Sequence, residues 1–171
     1  QLQPVETLLL DVAAQSWTVL DPLPRDGGTS VMYQLGKVLK SGMAYNPDDP
    51  PVEASSTAWV IDTNVASPQW RAVAPMRFPR TQHTLLNLPD GTILSSGGGR
   101  NTDVFDEDNA VLQPELWSPQ TEQWSVLAPM QTPRMYHSTA LLLPDGRVLA
   151  SGSGGFGPDQ PSAEVFSPPY M

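Results

Sequence analysis

The two histidines of this 171-residue sequence are the side chains best suited to bind a transition metal, and each ends an Arg-X-X-His string. His83 follows Gln82, whereas His137 follows Tyr136. A histidine with no second ligand near it rarely forms a metal site, and a polar residue that recurs once per repeat usually belongs to the scaffold. We therefore interpret His83 as structural. The residues alone leave His137 open between a scaffold role and a ligand role.

An acidic loop surrounds Phe105, with carboxylates at Asp103, Asp106, Glu107 and Asp108. Their spacing is not that of an EF-hand, so a solvated loop is favoured over a calcium site. The sequence contains neither a Gly-X-Ser-X-Gly nucleophile elbow nor a P-loop. Because it has no cysteine, disulfides, thiolate metal sites and cysteine nucleophiles are excluded within it.

The charge and hydropathy of the sequence argue against two classes of partner. The formal net charge is −9, and the nine lysines and arginines do not cluster. A nucleic-acid-binding protein needs a basic patch. No apolar run approaches the ~20 residues that a membrane-spanning helix requires. We therefore predict binding to neither nucleic acid nor membrane.

A repeat of 55 residues organises the chain, since the segment Gly-X-aliphatic-Leu-X-Ser-Gly begins at Gly36, Gly91 and Gly146. Short apolar stretches separated by proline and glycine predict many short strands, and no long segment keeps a helical apolar period. A repeat of about 50 residues is typical of a four-stranded kelch-type β-propeller blade. A β-sandwich is the alternative, but it gives no reason for three copies in phase.

Four strands are predicted in each repeat. The stretch after each histidine would form the innermost strand, and the Pro-Asp-Gly strings at 89–91 and 144–146 predict tight turns, because proline presets φ and glycine accepts positive φ. The glycine-led segment forms the second strand, and an apolar stretch forms the third. The fourth strand carries a tryptophan that is expected to pack one sheet on the next. These tryptophans are Trp17, Trp70 and Trp124.

Residues 1–171 are therefore predicted to be all-β and to form about three four-stranded blades of one incomplete propeller. The blade repeats cover about residues 1–17, 28–70, 79–124 and 133–171. Three blades do not close a ring, and closure is what protects strand edges in a propeller. The rest of a propeller, or other copies of the chain, are expected to complete the ring.

Three strings resemble the last propeller blades of the galactose oxidase and glyoxal oxidase family of copper-radical oxidases. They are Arg80-Thr81-Gln82-His83-Thr84, Arg134-Met135-Tyr136-His137-Ser138 and Val165-Phe166-Ser167-Pro168-Pro169-Tyr170. The resemblance runs without a gap from Phe78 to Met171 and more weakly over 28–62. It implies a fragment of a seven-bladed kelch-type propeller in a secreted protein. An immunoglobulin-like C-terminal domain is expected to follow and is absent from this sequence.

The resemblance also implies a site. In that family two tyrosines and two histidines hold a mononuclear copper, and the enzyme oxidises a primary alcohol or aldehyde with O₂, giving H₂O₂. By resemblance, Tyr136 is the axial tyrosine and the base for the substrate hydroxyl proton, His137 is a histidine ligand, and Phe105 lines the substrate pocket. Adjacent ligands point to opposite faces of a regular strand, so these two must converge at a strand end or a bulge.

Part of the family's site has no counterpart in this sequence. The tyrosine and cysteine that form the radical cofactor, and the second histidine ligand, match no position here, so the chain alone is expected to be inactive. As an oxidase, the parent protein would act on a small alcohol, aldehyde or carbohydrate. The alternative hypothesis is a non-catalytic kelch propeller that binds protein or carbohydrate through the loops of one face.

Expressed alone, the 171-residue chain is predicted to oligomerise or aggregate, because an incomplete ring exposes apolar sheet faces and unpaired edges at both ends. Size-exclusion chromatography with light scattering at micromolar concentration measures this. A stable monomer that unfolds cooperatively would contradict the prediction.

Overall fold

The computed structural model describes residues 6–23, 26–43, 51–155 and 159–171. They form thirteen β-strands and a single 3-10 turn, so the all-β prediction is confirmed. Within these ranges, no helix is long and apolar enough to cross a membrane. Residues 1–5, the predicted start of the first repeat, lie outside the described residues.

The strands form four antiparallel sheets, and in each sheet they pair in chain order. Two sheets have the four strands that the repeat predicts, whereas the described part of the first has two strands and that of the last has three. The sheets are β1 (Thr7–Asp11) and β2 (Ser16–Asp21); β3 (Thr29–Gln34), β4 (Lys37–Ser41), β5 (Ala58–Asp62) and β6 (Arg71–Ala72); β7 (Thr84–Asn87), β8 (Ile93–Ser96), β9 (Glu115–Ser118) and β10 (Gln123–Val126); and β11 (Thr139–Leu142), β12 (Val148–Ser151) and β13 (Ala163–Phe166).

The Pro-Asp-Gly strings form the tight turns that the sequence predicts between the first two strands of a sheet. Gly91 donates its N–H to the carbonyl of Leu88, and Leu88 donates to Thr92, both at 2.9 Å. Gly91 has a φ of 83°, a value that side chains disfavour. Leu143 donates in the same way to Arg147 in the next repeat. Each turn reverses the chain so that the glycine-led segment becomes β8 or β12.

Aromatic side chains fill the space between consecutive sheets. Trp117 of β9 is fully buried, and the ring of Tyr33 meets it edge-on with centroids 5.0 Å apart. Trp124 donates its indole N–H at 2.9 Å to the carbonyl of Ala74, which follows β6, and its ring packs against a cluster of buried residues from both sheets, as the sequence predicts. The prediction is wrong for Trp17, which is 62% exposed. Its sheet is the first of the described residues, and no described sheet precedes it.

A buried ion pair joins the loop before β7 to β9. The guanidinium of Arg80 lies 2.9 Å from the carboxylate of Glu115, and neither side chain is exposed. Arg80 also donates to the carbonyl of Gly97, and Glu115 accepts the backbone N–H of Arg77 at 2.7 Å. Burial lowers the pKa of the Arg80 guanidinium, while the hydrogen bond and charge of Glu115 oppose that shift. The pair therefore offsets the cost of removing two charges from water.

The same arrangement recurs in the last sheet. Arg134 lies 3.5 Å from the carboxylate of Glu164 on β13 and donates to the carbonyl of Gly152 at 2.8 Å. Glu164 accepts the backbone N–H groups of Gln131 and Thr132 at 2.8 and 2.9 Å. We call each of these two groupings an arginine clamp, formed by Arg80 with Glu115 or by Arg134 with Glu164.

Neutralising a buried clamp carboxylate is predicted to destabilise the fold strongly. Glu115→Gln in the full-length protein should lower the free energy of unfolding by about 3–5 kcal/mol, because the guanidinium of Arg80 stays buried without its counter-charge. Glu122→Gln is the matched control, since the Arg71–Glu122 pair is largely exposed and its loss should cost less than about 1 kcal/mol. Urea denaturation measures both changes. Equal shifts in the two variants would contradict the prediction.

Candidate functional site

Tyr136 and His137 lie in the turn between β10 and β11, immediately before the inner strand begins. Ser138 donates its N–H to the carbonyl of Met135 at 3.0 Å, which closes the turn. His137 has a φ of 61°, in the left-handed region that few non-glycine residues adopt. This break in the extended backbone brings the two rings together, with centroids 3.7 Å apart and planes inclined by 30°.

Glycines leave open space beside this ring pair. A Cβ atom at Gly155 would lie 3.2 Å from Nδ1 of His137 and 3.6 Å from the ring of Tyr136. Gly154 fixes the turn by donating its N–H to the carbonyl of Tyr136 at 3.0 Å. The resulting open pocket is lined by His137, Gly152, Ser153, Gly154, Gly155, Asp159, Gln160 and Pro161.

Phe105 reaches the same place from the neighbouring sheet. It belongs to the loop between β8 and β9, and its ring meets that of Tyr136 edge-on, with centroids 5.5 Å apart and planes at 79°. The structure thus brings together the three site residues named from the sequence, Phe105, Tyr136 and His137. They lie where two consecutive sheets meet.

His83 has a different environment, although its string matches that of His137. It is 5% exposed, and its Nε2 lies 3.0 Å from the hydroxyl of Ser41 on the preceding sheet. Here the left-handed residue is Gln82, with a φ of 55°, one position earlier than in the Tyr136-His137 turn. Burial, and then the charge of Arg80, lowers the pKa of His83 to about 3. These contacts agree with a structural role for His83.

The donor set beside the pocket is chemically compatible with copper but incomplete. A phenol and an imidazole are ligands that copper accepts. Within the described residues, no group of three or more His, Cys, Asp or Glu side chains is arranged to hold a metal ion. Among the described residues, Tyr136 and His137 supply the phenol and the imidazole beside the pocket, and the pocket lining also contains the carboxylate of Asp159, which accepts the N–H of Gly155.

The acidic loop is ordered by its own hydrogen bonds. Asp106 accepts the amide N–H groups of Asn109 at 2.6 Å and Asn101 at 3.1 Å. These two bonds, in that order, lower the pKa of Asp106. Asp103 accepts the backbone N–H of Phe105 at 3.0 Å. The acidic residues thus shape the loop that presents the Phe105 ring.

Of the eight residues that line the pocket, only His137 was named as a site residue from the sequence, and Gly155 and Gln160 are two of those that were missed. The run Gly152-Ser153-Gly154-Gly155 was a usable signal, because it extends the glycine that ends each second strand. Gln160 carries no such signal, since it lies in a loop 53 residues from its hydrogen-bond partner Glu107.

Comparison with known proteins relates the chain to oxidases. Residues 32–169 match the family described as glyoxal oxidase N-terminus. A galactose oxidase of Gibberella zeae is 34% identical over 152 residues, which are 84% of this chain and 22% of that protein. The chain thus spans about a fifth of the length of this relative.

Two further similarities concern the fold. One solved structure is that of a fungal alcohol oxidase of the AA5 family in complex with copper. It superposes on this chain with a TM-score of 0.78 at 28% sequence identity, and the superposition covers 91% of this chain and 34% of the oxidase chain. Kelch-like protein 36 of Bos taurus is 29% identical over 148 residues, 86% of this chain and 22% of that protein. Together with the successive antiparallel sheets, these similarities identify a β-propeller-like fold.

The buried neutral His83 is predicted to make stability depend on pH. An unfolded histidine titrates near pH 6.5, whereas the folded pKa is about 3, so between these values the unfolded chain binds a proton that the folded chain does not. Stability is therefore complete above about pH 6.5 and falls as the pH decreases, by about 2 kcal/mol between pH 6.5 and 5. Urea midpoints across this range measure it. His83→Gln removes this group's contribution, so an unchanged pH slope in that variant would contradict the assignment.

Proposed function

Because the chain belongs to the glyoxal oxidase N-terminus family, we propose that it forms part of a copper-radical oxidase that converts a primary alcohol or aldehyde with O₂ and releases H₂O₂. The stacked pair Tyr136 and His137 carries this proposal, since it unites a phenol and an imidazole beside an open pocket. A propeller scaffold alone does not require two such side chains at this position. The similarity to a galactose oxidase and to a copper-containing alcohol oxidase supports the same chemistry.

Each of the three residues has a role in the proposal. The imidazole of His137 and the phenolate of Tyr136 would hold the copper, which would supply Lewis-acid activation and a one-electron acceptor when bound. The Tyr136 oxygen would accept the hydroxyl proton of the substrate. Phe105, edge-on to Tyr136, would form an apolar wall that orients the substrate carbon. For an alcohol, two electrons and two protons leave the substrate, and O₂ accepts both pairs to become H₂O₂.

The remaining parts of the site would come from outside this chain. No cysteine is present in the 171 residues, so a tyrosine–cysteine radical cofactor requires residues beyond them. We accordingly propose that the chain alone is inactive, that it contributes blades to a seven-bladed kelch-type ring, and that an immunoglobulin-like domain follows it. Secretion, and a small alcohol, aldehyde or carbohydrate as substrate, belong to the same proposal.

A second function has a specific observation in its favour. The similarity to Kelch-like protein 36 covers 86% of the chain and is compatible with a propeller that binds a protein or carbohydrate without catalysis. In that case the ring pair Tyr136–His137 would belong to a binding surface. Copper dependence separates the two functions.

The full-length protein, loaded with copper, is predicted to release H₂O₂ from primary alcohols or aldehydes. Tyr136→Phe should lower kcat by about 10²- to 10⁴-fold, because the proton acceptor is lost. His137→Ala should lower the copper content as well as the activity. A coupled peroxidase assay measures turnover, and elemental analysis measures copper per protein molecule.

Two control variants separate the site from the scaffold. Tyr33→Phe makes the same chemical change at a tyrosine packed on Trp117, and His83→Gln alters the other histidine. Folded protein of both variants should keep its copper content and peroxide release. Unchanged copper content in His137→Ala would refute the ligand role of His137. If the unmodified protein neither binds copper nor releases H₂O₂, the non-catalytic binding function is favoured.

A further inference from the structure

Two loops from consecutive sheets flank Tyr136. The Phe105 loop, residues 101–109, lies in the connection between β8 and β9 and presents its aromatic ring to that tyrosine. The glycine loop, described at residues 152–155 and 159–161, follows β12 and contacts the backbone of the Tyr136 turn. Gly154 donates to the carbonyl of Tyr136, and Met135 donates to the hydroxyl of Ser153 at 3.1 Å. The glycine loop lines the pocket beside His137, and the Phe105 ring packs against Tyr136 next to it.

The described residues of each loop are linked by hydrogen bonds within the same loop. In the Phe105 loop, the carboxylates of Asp103 and Asp106 accept hydrogen bonds from backbone and amide groups of the same loop. In the glycine loop, Asp159 accepts the N–H of Gly155 at 3.2 Å, and Gln160 donates its N–H to the carbonyl of Ser153 at 2.9 Å. Because the described residues of each loop are held by hydrogen bonds within that loop, a contact between the two loops couples their positions.

A side-chain hydrogen bond makes that contact. The amide of Gln160 donates to the carboxylate of Glu107 at 2.9 Å, in a partly buried position. Glu107 lies two residues after Phe105, and Gln160 lines the pocket beside His137. A bond to a charged carboxylate is stronger than one between neutral groups, and partial burial limits competition from water.

We propose that the Glu107–Gln160 bond, which we call the loop bridge, holds Phe105 against Tyr136 and so determines the size of substrate that the pocket admits. Gln160 and Glu107 are positioning residues in this inference, because they act through Phe105. The specificity part rests on the proposed oxidase function. The coupling of the two loops does not, since it follows from the contacts alone.

The first test measures access to Tyr136 without any enzymatic activity. The full-length protein is treated with tetranitromethane, and nitration of each tyrosine is followed by peptide mass spectrometry, with Tyr170 as the internal reference. Gln160→Ala and Glu107→Ala should each raise the nitration rate of Tyr136 by about threefold to tenfold, which is less than the loss of a fully buried bond to a charged group would give, because this bond is only partly buried. Phe105→Ala should raise it at least as much.

Matched variants separate the loop bridge from a general effect on the loop. Asp108→Ala removes a neighbouring charge and should leave the rate unchanged. Glu107→Gln keeps an oxygen that can accept from Gln160 and should restore most of the protection. The double variant Glu107→Ala/Gln160→Ala should react no faster than either single variant. Equal nitration rates in Gln160→Ala, Glu107→Ala and Asp108→Ala would overturn the proposal.

The second test measures specificity in the copper-loaded protein. The ratio of kcat/KM for benzyl alcohol to that for 1-butanol should rise about tenfold in Gln160→Ala, because a released Phe105 admits the larger group. Copper content should stay unchanged. An unchanged ratio despite faster nitration would overturn the specificity role, whereas absence of all oxidase activity with faster nitration would refute the proposed function and leave the loop coupling established.

Discussion

The buried arginine of each clamp is the interaction on which the rest of the structure depends. Its side chain binds within its own sheet, where Arg80 reaches Glu115 and Arg134 reaches Glu164. Its backbone carbonyl accepts an N–H from the segment that follows the second strand of the preceding sheet. Met43, after β4, donates to Arg80, and Gly98, after β8, donates to Arg134. One residue thus fixes both the internal geometry of a sheet and its attachment to its neighbour. Since a buried charge is costly unless it is paired, any alternative packing that separates the pair is strongly disfavoured.

The candidate site lies two and three residues after the clamp arginine Arg134, where the backbone conformation differs from that of the equivalent string in the preceding repeat. In both repeats the clamp arginine begins an Arg-X-X-His string. The residue with a left-handed backbone conformation is Gln82 in one string and His137 in the other. In the first case the imidazole of His83 turns into the core and meets Ser41. In the second, the imidazole stays exposed and stacks on Tyr136. The position of the left-handed residue differs by one between the two strings, and this difference accounts for the buried structural histidine in one and the exposed candidate ligand in the other.

Much of this fold could be predicted because its determinants are local and recur. The glycine-led strands and the Pro-Asp-Gly turns depend on a few adjacent residues, and three copies in phase made the pattern recognisable. The clamps were not predicted, because pairing Arg80 with Glu115 requires knowing which loop enters which sheet. The exposed Trp17 was mispredicted for a related reason, since periodicity gives a residue its place in a repeat but not its neighbours. Phe105 was placed by resemblance, whereas nothing in the sequence indicated that Gln160 would bind Glu107.

Backbone strain at Ser153 is linked to the open space beside the His137 ring. Ser153, Gly154 and Gly155 have φ values of 116°, 136° and 132°, a conformation costly for a serine and accessible to glycine. The serine is held there because its hydroxyl accepts the N–H of Met135 and its carbonyl accepts that of Gln160. This strained path directs the glycines toward the stacked rings, where a side chain would contact Nδ1 of His137. The space beside the imidazole is thus maintained by hydrogen bonds from the turn that carries Tyr136 and from within the glycine loop.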